Sequence, residues 1–217
     1  MASNEFNKKR SKIQLVSSSF FILLLLAGLF YPLLGYFAIV CMVSGIVIAI
    51  FKGRKWCDFC PRGSFWDYFV KPFSRNKKIP AVFSKWHTRF FVMMLLMTMF
   101  TIQIVKRWPN PYSIGSFFII FLIITTIVGL LLGLFIQQRT WCRFCPVGSM
   151  GNAVGRNKYQ LKIDSKKCTD CGICAKVCPM QLNPSSHKKK SIEIVNEPDC
   201  IKCKLCVNSC PRKALKF

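Results

Sequence analysis

The sequence predicts a membrane all-α domain of four helices, a duplicated two-helix hairpin plus cysteine loop, followed by a small α+β domain built around cysteine ligand loops. Three observations carry this. Of the 217 residues 52% are hydrophobic and the mean hydropathy is +0.34, which points to a membrane protein. Long stretches of the first two thirds are free of charge. Twelve of the thirteen cysteines, all but Cys41, fall into short spaced pairs and runs, which is metal-ligand spacing rather than the scatter of a disulfide framework.

The elements follow in chain order. Residues 1–12 form a basic tail with Lys8, Lys9, Arg10 and Lys12. No charged residue occurs from Ile13 to Phe51, about twice what one bilayer-spanning helix needs. Tyr31-Pro32-Leu33-Leu34-Gly35 punctuates the run, so it is read as two spans, near 14–31 and 34–52. A small-x-small cleavage site does not follow, and an uncleaved anchor is expected. Phe90 to Val105 is short for a crossing, but Trp86 to Trp108 gives about 33 Å of helix with tryptophans at both interfaces, and the third span is set at 87–107. The fourth, 116–136, lies in the uncharged stretch from Trp108 to Gln138. The membrane domain is thus 13–157, and the soluble domain 158–217.

Basic residues orient the spans. The connection between spans two and three carries ten lysines and arginines, from Lys52 to Arg89, whereas the opposite side has only Lys106 and Arg107. The positive-inside rule then puts both termini and the central connection on the cytoplasmic side of a cytoplasmic (inner) membrane. Every cysteine but Cys41 falls on that reducing side. The formal charge of +24 has the same origin, with anionic lipid headgroups and an acidic redox partner as its counterparts. Recognition motifs for nucleic acid are lacking, and no nucleic-acid partner is expected.

The tail holds the most specific signal. Cys168, Cys171, Cys174 and Cys178-Pro179 are followed by Cys200, Cys203, Cys206 and Cys210-Pro211, both reading C-x2-C-x2-C-x3-C-P. In such runs three cysteines wrap one cubane and the fourth reaches across to the other. Cluster I therefore takes Cys168, Cys171, Cys174 and Cys210, and cluster II takes Cys200, Cys203, Cys206 and Cys178. Two 4Fe–4S clusters make this a bacterial-type double-cluster ferredoxin domain. Leu161-x-Ile163 and Ile192-x-Ile194 suggest short strands beside the loops.

The membrane domain repeats a second motif. Trp56-Cys57-Asp58-Phe59-Cys60-Pro61-Arg62-Gly63-Ser64 matches Trp141-Cys142-Arg143-Phe144-Cys145-Pro146-Val147-Gly148-Ser149, each copy following a pair of spans. A parallel repeat of this kind brings both loops to one face. Cys57, Cys60, Cys142 and Cys145 together could hold a third iron–sulfur centre, either 4Fe–4S or 2Fe–2S. Arg54, Arg139 and Arg143 would offset its negative charge. A structural zinc and separate redox dithiols stay open as alternatives.

With these motifs the chain resembles the NapH-like and NosR-like membrane polyferredoxins, from about residue 15 to 217. The resemblance implies an iron–sulfur electron-transfer subunit, relaying single electrons between a cytoplasmic-side partner and a redox centre at the membrane face. Redox partner proteins in a membrane complex, possible quinone and a possible flavoprotein come with it. An alternative from another class is a maturation reductase acting on a client metal or disulfide through the C-x-x-C dithiols. With only His87 and His187, bis-histidine haem is excluded within the membrane part. A quinone site would need a proton acceptor near the interface, for which His87 and Asp58 or Asp67 are the candidates, although pairing with the surrounding lysines and arginines is the expectation for both aspartates. No catalytic residue is expected.

Overall fold

A computed structural model describes residues 2–188 and 192–217. Its first two thirds are helical. Helix α1 (Ala2–Phe30) is unbroken, so the segment expected as a separate basic tail is a continuation of the first apolar helix. Tyr31 breaks the run, as a residue preceding proline resists the α conformation, and Pro32–Tyr36 forms a turn of 3-10 helix before α2 (Phe37–Lys52). Two short helices, α3 (Trp56–Phe59) and α4 (Pro61–Phe65), carry the first cysteine loop and run into a turn of π-helix at Trp66–Val70. Helices α5 (Trp86–Arg107) and α6 (Pro111–Phe135) follow, the latter capped by Asn110, whose side chain accepts from the amides of Tyr112 and Ser113. The second loop lies on α7 (Thr140–Phe144) and α8 (Pro146–Gly155).

Among the described residues, four helical segments are long and apolar enough to cross a membrane. Their outward faces are rich in exposed large apolar side chains, among them Leu23, Val47, Phe91 and Ile124. That is the surface a lipid environment asks for, since hydrocarbon rewards no apolar burial between helices. The helices instead approach through small residues. A Cβ on Gly155 would stand 2.5 Å from both the Ala49 carbonyl oxygen and Gly53 Cα, so α8 reaches α2 backbone to backbone.

The C-terminal module is α+β. Strands β1 (Lys162–Asp164), β2 (Ile192–Ile194) and β3 (Leu215–Lys216) form an antiparallel sheet in the order β2-β1-β3, with Lys162 opposite both Ile194 and Lys216. Leu161, Ile163, Val195 and Leu215 form its core against Cys168, Cys174 and Cys206. Two one-turn helices, α9 (Ile173–Lys176) and α10 (Leu205–Asn208), sit inside the two cysteine runs. The runs repeat in backbone as in sequence: Asp170, Gly172 and Gln181 have positive φ in the first, and Lys202, Lys204 and Lys213 in the second. Non-glycine residues adopt that conformation only where the surroundings enforce it, here to wrap each loop around its cavity.

Candidate metal centres

Among the described residues, three cavities each bring together four cysteines of the paired motifs. One, of about 20 Å³, is bordered by Cys168, Cys171, Cys174 and Cys210. A second of the same volume is bordered by Cys178, Cys200, Cys203 and Cys206. Each thus draws three cysteines from one run and the fourth from the other. The third, of about 160 Å³, lies between the membrane helices and is bordered by Cys57, Cys60, Cys142 and Cys145, with Cys41 in its apolar wall. All thirteen cysteines are free thiols. Among the described residues no group of three His, Cys, Asp or Glu side chains is set to hold a single metal ion. A cubane asks for something else, four thiolates spread over four separate irons. The cradles fit such a group in donor type, number and enclosure.

The two membrane-proximal loops are built alike. Cys60 and Cys145 share a backbone conformation, φ −51° and ψ 129° against φ −54° and ψ 132°, and each precedes a proline that opens a short helix. The residue before proline is extended and proline at the first helical position needs no amide partner, so Cys-Pro turns the chain sharply at each ligand. Trp56 packs edge-on to Phe59 at 5.2 Å and Trp141 to Phe144 at 5.0 Å.

The loops also exchange arginines. Arg54, three residues before Cys57, donates from Nη2 to the Cys142 carbonyl at 2.7 Å. Arg139, three residues before Cys142, donates from Nη1 to the Cys57 carbonyl at 2.7 Å. The motif glycines make room for this crossing. A Cβ on Gly63 would meet Arg139 Nη1 at 2.6 Å, and one on Gly148 would meet Arg54 Nη2 at 2.9 Å.

Two buried carboxylates hold these arginines. Asp67 receives Nε and Nη2 of Arg139, both at 2.9 Å, together with Arg10 and Gln14 from α1. Burial works against the Arg139 charge, but Asp67 outweighs it and holds the guanidinium well above its ordinary pKa. Asp199, beside Cys200, receives Arg54 at 2.7 Å, Arg89 at 2.6 Å and Arg143 at 3.2 Å. One carboxylate of the C-terminal module thus gathers three arginines of the helical domain. Gln137 Nε2 adds a bond to the Pro179 carbonyl, and Lys55 Nζ one to that of Lys202. Cys57 and Cys142 pack on the core of Met180, Leu182, Ile201 and Cys203. The module therefore meets the membrane loops with its second cysteine set, while Cys171 of the first set is exposed.

Burial pushes the Cys203 thiol up to about 12 and raises Cys142, Cys178, Cys200 and Cys206 as well. Of the candidates for proton transfer, Asp58 is tied to Arg10 at 2.9 Å and to Lys55 at 2.7 Å. His87 stands exposed at the start of α5. Neither borders the large cavity. Asp199 as an arginine hub escapes the sequence reading, whereas Asp67 pairs with arginine, Arg10 and Arg139.

Comparison with known proteins agrees with this geometry. Residues 167–215 match the model of a 4Fe-4S dicluster domain, and residues 34–80 and 113–165 each match that of a 4Fe-4S binding domain. An uncharacterized protein of Methanocaldococcus jannaschii is 31% identical over 186 residues, 82% of this chain and 70% of the relative. The ferredoxin-type protein NapH of Haemophilus influenzae is 31% identical over 136 residues, 58% of this chain and 47% of NapH. This chain belongs to the NapH-like membrane polyferredoxin family. Ferredoxin-1 of Rhodobacter capsulatus, 36% identical over 56 residues, covers 23% of the chain and 82% of that ferredoxin. No solved structure matches. The polyferredoxin described here is accordingly an iron–sulfur electron-transfer protein of the membrane.

Proposed function

We propose that the chain aligns three iron–sulfur centres, two in the module and a third between the membrane loops, as the electron-relay subunit of a membrane oxidoreductase. Cys168, Cys171, Cys174 and Cys210 would hold the outermost, Cys178, Cys200, Cys203 and Cys206 the middle one, and Cys57, Cys60, Cys142 and Cys145 the innermost. When bound, such clusters supply one-electron oxidation and reduction. The residues of the chain bind, space and shield them. The observation that carries the reading is the packing of Cys57 and Cys142 on the hydrophobic core that also contains Cys203 and contacts Cys178 and Cys200. That contact supports an innermost cradle lying against the middle one, with Asp199 and its three arginines joining the module to the helical domain.

The distribution of basic residues supports a topology to go with this reading. Both termini and all three cradles would lie on the cytoplasmic side, the exposed edge at Cys171 receiving a redox partner protein. The apolar reach of the large cavity, between Phe20, Phe37, Leu96, Phe100 and Phe121, suits the head of a quinone entering from lipid. A flavoprotein serves equally as the partner at the other end.

Iron and sulfide per chain in anaerobically purified protein test this. The reading expects about twelve irons, where the module alone would hold about eight. Paired Cys57→Ser and Cys142→Ser substitutions should remove about four and leave the module's two clusters spectroscopically intact. Rapid alkylation of Cys57 and Cys142 in the native protein would refute it in favour of dithiol chemistry on a client.

A further inference from the structure

Two arginines border the large cysteine cavity, Arg62 and Arg139. They differ in how their charge is met. Arg139 is bidentate to Asp67. Arg62 donates from Nη2 to the Thr125 carbonyl, and its guanidinium lies 4.9 Å from the ring centre of Trp141 and 5.8 Å from that of Trp66. Its Nε is buried without an acceptor. Among the described residues no carboxylate pairs with it, whereas Arg10, Arg54, Arg89, Arg139 and Arg143 all have one.

A guanidinium cannot shed its proton to escape such a place, and a buried charge without a counter-ion is costly. The cysteines within its electrostatic reach are Cys145, Cys142 and Cys60, and all three border the same cavity. The indole N–H groups of Trp66 and Trp141, both bordering the same cavity, are also buried with no acceptor. Three buried donors without an acceptor thus belong to residues that border one largely apolar space. The repeat does not explain this, because Val147 occupies the corresponding place in the second loop. Nor do the arginines on Asp199 substitute for it. Their charge is met at Asp199, and Arg54 divides its bonds between that carboxylate and the Cys142 carbonyl.

We propose that Arg62 is the counter-charge of the iron–sulfur centre among Cys57, Cys60, Cys142 and Cys145, and that it raises the reduction potential of that centre. The proposal rests on the third centre of the preceding section. Reduction adds one electron from the donor, and hence one negative charge, to the group facing Arg62. A fixed positive charge that cannot titrate favours that product over the oxidised form. The two module cradles have no such arginine in their walls facing the cysteines apart from Arg212, which is exposed.

The test compares full-length wild type with Arg62→Gln and Arg62→Lys, each purified anaerobically in detergent, by iron content and by EPR-monitored redox titration. In Arg62→Gln the reduction equilibrium of the membrane-loop centre should weaken at least tenfold, about 59 mV for a one-electron couple, with both module signals unmoved. Arg62→Lys should recover most of the shift. Should Arg62→Gln shed the third centre while Arg62→Lys retains it, the requirement for charge stands. An unmoved potential in Arg62→Gln at about twelve irons overturns the proposal alone, and so does loss of the centre in both variants. About eight irons in the wild type would overturn the third centre and this proposal together.

Discussion

Replacing Asp199 by Asn is the sharpest perturbation of the docked module. The substitution keeps size and removes the charge on which Arg54, Arg89 and Arg143 converge at 2.7, 2.6 and 3.2 Å. All four side chains are nearly dry, with exposures of 5% for Asp199 and 2%, 5% and 11% for the arginines. Breaking a buried ion pair from one side costs about 3–5 kcal/mol, because a desolvated charge is left behind. Here Arg54 keeps the Cys142 carbonyl and Arg143 keeps Ser84 and the Met180 carbonyl, which places the cost at the lower end. For a chain of this size about 3 kcal/mol corresponds to a fall of roughly 6–12 °C in Tm. Thermal unfolding in detergent reads that shift, and hydrogen exchange of residues 158–217 should show faster opening of the module. Asp164→Asn, on a partly exposed carboxylate 3.7 Å from Lys167, serves as control and should move Tm by less than about 2 °C. A Tm for Asp199→Asn equal to that of the control would refute the hub as the lock.

Two further outcomes follow from the site. Because burial holds Cys178, Cys200, Cys203 and Cys206 above the ordinary thiol range, each must lose a proton to become a ligand. Loading of the apoprotein should therefore release about four protons for this set and strengthen as pH rises from 7 to 8; pH-independent loading would contradict it. Gly148→Ala puts a Cβ 2.9 Å from Arg54 Nη2 and 3.1 Å from the Cys142 carbonyl oxygen, so it should break that hydrogen bond at about 1–3 kcal/mol and lower the iron content of the membrane loops. Gly151→Ala, whose Cβ would sit 3.6 Å from that of Ala49, should leave iron content unchanged.

What the sequence made legible was local. The charge-free run broken at Pro32 and the spacing of cysteines within each run both depend on neighbours a few residues apart. The apolar helix ends at Phe30 and the next begins at Phe37, where the expected spans break between 31 and 34. The arginine hub was illegible because its partners are remote: Asp199 lies 145 residues from Arg54 and 110 from Arg89. A single Asp between Pro198 and Cys200 carries no mark of three distant guanidinium groups. The arginines were recognised as neighbours of the cysteine loops, but nothing local separates Arg139, which has its carboxylate, from Arg62, which does not. The basic start of the chain reads as a tail because charge masks helix; Arg10 is helical and bound to Asp58 and Asp67.

The exchange of arginines between the loops also orders the birth of the protein. Arg139 is made 82 residues after the Cys57 carbonyl it pins, and Arg54 waits 88 residues for the carbonyl of Cys142. A ribosome that has finished only the first loop has produced half a cradle, with its own arginine unanchored and its partner not yet translated. Two of the four loop cysteines that border the large cavity, Cys142 and Cys145, belong to the second loop, so its wall is incomplete until α7 and Cys145 have emerged.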